Sequence, residues 1–136
     1  MKASRSSSPR PEPRRTAEVV LDVEVDHGRV HLVLANCGDA AATDISVEFS
    51  RPLPGPDDDA PVSALPVFER LGVLRPGCVL RVFWNAAPAL LGDRDRSAPF
   101  SATVSWSERG RPRQRAKYRH DLSIYRRWPA CDARRE

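Results

Sequence analysis

Apolar and polar side chains alternate strictly through much of this chain. In VVLDVEVD, Leu21, Val23 and Val25 share one parity, and Asp22, Glu24 and Asp26 the other. In RVHLVLAN, Val30, Leu32 and Leu34 repeat the pattern. A period of two with β-branched residues predicts half-buried strands. The link His27-Gly28 is two residues long, and its glycine supplies the positive φ of a tight hairpin. Pairing across it sets Val25 opposite Val30, Val23 opposite Leu32 and Leu21 opposite Leu34. Apolar meets apolar, so the register is self-consistent.

The alternation returns five more times. TDISVEF predicts a third strand with Ile45, Val47 and Phe49 inward, followed by a long proline-rich loop from Arg51 to Pro66. A short fourth strand is expected near Phe68–Leu74. Arg75-Pro76-Gly77-Cys78 then fits a type II turn, with proline second and glycine third. CVLRVFWN is the fifth strand, with Leu80, Val82 and Trp84 on one face. Beyond a second loop, Ala86–Pro99, FSATVSWS points Phe100, Ala102, Val104 and Trp106 inward and Ser101, Thr103, Ser105 and Ser107 outward. The last strand is expected over roughly Arg113–Ile124. Seven strands, and no convincing helix, predict an all-β fold: a seven-stranded antiparallel β-sandwich, with a barrel as the alternative.

Both ends read differently. Residues 1–16 are Ser, Pro and Arg with almost no apolar side chain, and cannot bury enough to offset the entropy of ordering them. The expected organisation is a disordered basic N-terminal tail (1–16), one sandwich (17–125) and a charged C-terminal tail (126–136).

VHLVLANCGDAAATDISVEF is an apolar strand, Asn-x-Gly, small residues, Ala-Thr-Asp and a second apolar strand; Leu74-Arg75-Pro76-Gly77 is a Leu-x-Pro-Gly turn before a later strand. In these motifs residues 18–124 resemble bacterial immunoglobulin-like domains of the CARDB and adhesion-module type. The resemblance implies an immunoglobulin-like sandwich acting as a passive module, often in cell-surface proteins, with no catalytic residues to carry over.

Charge adds a second level of organisation. The chain carries 22 Lys+Arg and 18 Asp+Glu, a net charge of +4. Residues 17–108 hold only 7 of those cations and 14 of the anions, so that stretch is −7 and the two ends together are +11. Such segregation concerns partners and association rates rather than fold. No apolar run approaches the ~20 residues that span a bilayer, and no apolar segment follows Lys2 and Arg5 as in an export signal, so the expected location is cytoplasmic. Cys37, Cys78 and Cys131 show no CxxC spacing and read as reduced thiols; pairing of Cys37 with Cys78, at neighbouring strand ends, is the alternative.

Catalytic templates fail on geometry. GxSxG, a phosphate-binding glycine loop and HExxH are all missing. His120 and Asp121 are adjacent, hence on opposite faces of a strand. His27 and His31 lie roughly 13 Å apart along an extended chain, too far to ligate one ion. Asp57-Asp58-Asp59 lacks the spaced ligands of a calcium loop and reads as a solvated acidic loop. No enzyme activity, metal or cofactor is expected.

The last hairpin is more informative. Arg109, Arg111, Arg113, Arg115, Lys117 and Arg119 recur at every second residue and share one face wherever the chain is extended. A two-residue link at Arg109-Gly110 would set Arg115 beside inward Val104, burying a charge. A three- or five-residue loop instead pairs Val104 with Ala116, Ala102 with Tyr118 and Phe100 with His120. The outer face then shows Ser101, Thr103, Ser105 and Ser107 across from Arg119, Lys117, Arg115 and Arg113. Hydroxyls beside cations suit phosphates or carboxylates. A second explanation is that Pro112 marks an edge strand whose charges block strand-to-strand aggregation. Trp84 and Trp106 have core parity. Tyr125-Arg126-Arg127-Trp128 reads as a tail that caps the sandwich end, with base stacking as the alternative.

The expected function is a non-enzymatic interaction or scaffolding module binding another protein through the sheet that holds the last two strands. Binding of nucleic acid or another polyanion through the basic hairpin and tails is the competing expectation.

Overall fold

The computed structural model describes residues 15–56 and 60–126. Outside them lie most of the predicted N-terminal tail, the run Asp57-Asp58-Asp59, and residues 127–136 with Arg127, Trp128 and Cys131.

Alternation produces the expected strands. The order is β1 (Val19–Asp26), β2 (Arg29–Asn36), β3 (Ala42–Phe49), β4 (Leu71–Leu74), β5 (Val79–Ala86), β6 (Phe100–Ser107) and β7 (Gln114–His120). They form two antiparallel sheets, β1-β2-β5 and β4-β3-β6-β7. The β1/β2 register is the one that hydrophobic matching demands, with Leu21 on Leu34, Val23 on Leu32 and Val25 on Val30. His27 (φ 52) and Gly28 (φ 76) both take the positive φ of the two-residue turn. The inward parities of both sheets meet in one core containing Leu21, Leu32, Leu34, Ile45, Trp84 and Val104. At one end Phe49 packs edge-on against Phe68 and Trp84 edge-on against Phe100, with ring centroids 5.1 and 5.5 Å apart.

Three expectations need correction. The fourth strand starts at Leu71; Phe68 sits instead in a helical turn, α1 (Pro66–Glu69), with proline in its first turn. The second loop contains α2 (Ala87–Leu91), again entered through proline. The last strand stops at His120, because Asp121 Oδ1 accepts the Ser123 N–H and starts α3 (Ser123–Arg126). In each case a single turn is too short to show helical periodicity.

Two irregularities re-aim side chains. Val30 pairs with Asn85 and His31 with Phe83, leaving Trp84 bulged out of register; its Nε1–H donates to the Pro54 carbonyl at 2.9 Å, pinning the proline-rich loop. In β3, Thr43 faces Ser107 and Ser46 faces Ser105, so Asp44 and Ile45 together span one residue of β6. Asp44 absorbs the extra residue at φ 53, which keeps Ile45 in the core and leaves Asp44 exposed.

The Asn-x-Gly and Leu-x-Pro-Gly segments turn out to be one clasp. Asn36 is buried, and its Oδ1 accepts the N–H groups of Glu18 and Gly38 while its Nδ2 donates to the carbonyls of Ala40 and Leu74. Gly38 lies so close to the start of β1 that a Cβ there would come within 2.2 Å of the Thr16 carbonyl. In the second segment the Cys78 N–H donates to the Arg75 carbonyl and Gly77 has φ 78, the type II turn expected from sequence. Cys37 and Cys78 are both exposed and unbonded.

Candidate interaction face

The outer surface of the β3-β6-β7 sheet is built by register. Three rows cross it: Ser46–Ser105–Arg115, Glu48–Thr103–Lys117, and Ser101–Arg119. The β6/β7 register, Val104 on Ala116, Ala102 on Tyr118 and Phe100 on His120, is the one that keeps Arg115 out of the core. It centres the connection on Gly110 (φ 77); the last pair is Trp106 on Gln114, so the odd loop has seven residues and not the three or five expected. The short hydroxyl side chains of β6 form the floor of two depressions, one lined by Ser46, Ser105 and Arg115, the other by Glu48, Thr103 and Lys117.

The six regularly spaced cations divide into two groups. Arg115, Lys117 and Arg119 stand exposed on β7 with no hydrogen bond or ion pair to any described residue. Arg113, just before the strand, is braced: its guanidinium donates to Ser107 Oγ at 2.9 Å and Ser46 Oγ at 3.4 Å, and lies 3.8 Å from Asp44. Arg109 and Arg111 leave the face, because the chain turns before them. Arg111 folds back onto the loop, donating to Glu108 Oε1 and Gln114 Oε1, both at 3.2 Å.

Glu108 is the residue sequence reasoning missed. It looks like a turn carboxylate, yet its side chain is 1% exposed. It accepts the Ala17 N–H at 3.0 Å, and the Trp106 indole N–H lies 3.4 Å from its other oxygen, which Arg111 also reaches. A buried charge is tolerated only when so satisfied. The available signal was Trp106, whose inward indole N–H needs an acceptor near the end of β6.

The two edges on this side of the sandwich differ. The β1 edge is capped by side chains: Tyr118 Oη–H donates to the Val19 carbonyl, the His120 Nε2 lies 2.9 Å from the Leu21 carbonyl, and Asp22 Oδ1 accepts the Val23 N–H. Because a carbonyl only accepts, Nε2 carries the proton. Burial, with Glu18 and Cys37 nearby, holds the Tyr118 phenol above its ordinary range.

The β7 edge has no such cover among the described residues. The Ser50 N–H donates to the Ser101 carbonyl, so Ser101, Thr103 and Ser105 turn their backbone groups toward β3. By antiparallel alternation Phe100, Ala102 and Val104 face β7 and bond His120, Tyr118 and Ala116. The backbone N–H and C=O groups of Arg115, Lys117 and Arg119 therefore point off the sheet. The residues that carry the free cations also carry the free main-chain groups.

At the far end Arg126 donates to the Leu91 carbonyl and to Ser97 Oγ, and Leu122 is buried, so residues 121–126 fold back onto the α2 loop; Arg127 and Trp128 lie outside the described residues. Arg51 orders the same region, donating to the carbonyls of Arg96 and Ala98 with its guanidinium over the Phe100 ring. Among the described residues no group of three His, Cys, Asp or Glu side chains is placed to hold a metal ion, and no helix is long and apolar enough to cross a membrane.

The chain belongs to the family described as Domain of unknown function (DUF8453), whose model matches residues 1–126. No curated protein and no solved structure matches it.

Proposed function

We propose that this domain is a non-enzymatic interaction module that engages an acidic protein partner through the outer face of β3-β6-β7. The observation that carries the reading is the column Arg115, Lys117 and Arg119, three exposed cations that form no ion pair with a described residue, beside a floor of hydroxyls. Carboxylates suit this column, since charge-assisted hydrogen bonds are roughly twice as strong as neutral ones. Taking the sandwich as immunoglobulin-like is part of the same reading, supported by seven strands divided three and four between two antiparallel sheets. So is a cytoplasmic location, which two exposed unpaired thiols fit.

A polyanion such as nucleic acid is the second reading, favoured by the same cations. One feature of the face weighs against it. The outward residues of β6 and β7 include no aromatic ring on which bases would stack.

Binding of poly-glutamate, heparin and duplex DNA across a salt series separates the two. The expected result is poly-glutamate binding that is lost when Arg115, Lys117 and Arg119 are all changed to Gln. Preferential DNA binding with a log–log salt slope near −2.7, the value for three neutralised phosphates, would replace this reading with the second.

A further inference from the structure

We infer that the partner segment binds as an added strand on the open edge of β7, in an extended conformation with acidic residues at alternate positions. The inference rests on the interaction reading above and adds to it a binding mode and a partner chemistry.

Arg115, Lys117 and Arg119 turn unpaired backbone groups to the outside of the sheet and long cationic side chains to its outer face. An edge strand with free N–H and C=O groups is a template for another extended chain. A strand added there bonds these three residues through its main chain, about 4.8 Å away. Its own side chains alternate between faces, with same-face neighbours about 6.7 Å apart, the repeat of the cation column. Each outward position of the added strand thus lies beside one cation. Acidic residues there form cross-strand ion pairs, and cations are repelled.

The contrast with β1 shows that, of the two edges flanking this side of the sandwich, β7 is the open one. Both edges flank the same side of the sandwich, and Tyr118 and His120 reach across from β7 to cap β1. No described side chain hydrogen-bonds to the outward backbone groups of Arg115, Lys117 or Arg119. Edge protection and recognition are then the same device. Like charges keep two β7 edges of separate copies apart, and an acidic strand removes the repulsion.

The test uses the full chain and a short synthetic peptide of alternating Glu and Thr. Three controls accompany it: the same composition with Glu in one block, the alternating peptide N-methylated on the amides of one edge, and the protein with Arg115→Gln, Lys117→Gln and Arg119→Gln. A thermal melt checks that the substituted protein is folded. The expected result is binding of the alternating peptide, slowed amide exchange at Arg115, Lys117 and Arg119, and affinity lower by about tenfold or more in each control, as loss of several surface ion pairs or edge bonds gives. If the N-methylated peptide binds equally and exchange is unchanged, strand addition is overturned while the interaction reading stands. Failure of every acidic probe, with heparin or DNA still bound, overturns both. Protection of these amides before any peptide is added, with the protein self-associated, would make a second copy the occupant and also overturn the inference.

Discussion

At the scale of single residues, a few polar groups hold the sandwich end together. Asn36 satisfies two donors and two acceptors from three segments of chain, so no other side chain of similar size replaces it. Asn36→Ala is expected to lower unfolding free energy by about 3 kcal/mol, since it strands several buried backbone groups. Gly38→Ala is expected to destabilise too, because the Cβ would meet backbone atoms of residues 16–18, which cannot move without β1. Denaturant unfolding of both variants checks this; a change under about 0.5 kcal/mol, as for ordinary surface positions, would contradict it. Neither role was legible as such. Asn-x-Gly was visible as turn chemistry, but its closure onto Glu18 and Leu74 is a long-range contact that no local pattern carries. Glu108 was missed for the same reason: its main donor, the Ala17 N–H, lies at the other end of the sequence.

At the scale of elements, strands were legible and single helical turns were not. Hydrophobic matching gave the β1/β2 register residue by residue, and the cost of burying Arg115 gave that of β6/β7. The bulges at Asp44 and Trp84 each shift the inward parity by one residue, from Ala42 to Ile45 and from Trp84 to Asn85, but they lie near strand ends, so the longer run of alternation passes over them. The face was legible as a period-two run of cations, but its limits were not. Arg109 and Arg111 continue the spacing into a loop that is no longer extended. The cap of β7 on β1 has a measurable pH signature. Tyr118 and Tyr125 are the only two tyrosines in the chain, and burial first of all raises both phenols. Groups with a raised folded value contribute stability that is complete below the unfolded value, about 10 for a phenol, and lost as pH rises through the folded one. Absorbance titration is expected to show both native phenols ionising above pH 10, with the denaturation midpoint falling from about pH 10 upward. A native midpoint at or below 10 would mean that the phenols are not buried as described.

At the scale of the whole molecule, the segregation of charge survives folding but changes meaning. The acidic side chains Asp22, Glu24 and Asp26 stand on β1 and the free cations on β7, strands of opposite sheets that flank one side of the sandwich. Of these two, β7 is the strand whose outward backbone groups no described side chain caps. The cap between the two strands joins residues 99 positions apart, Tyr118 to Val19 and His120 to Leu21. On a ribosome adding about 5–20 residues per second, β1 therefore waits roughly 5–20 seconds with its edge uncovered before its cap is synthesised. A chain stopped before Gln114 is expected to self-associate through that edge, as light scattering of the truncated and full-length proteins would show; a monomeric truncation would refute it. The last strand to be made is what makes the first one safe, so the birth of this domain is more hazardous than its mature form.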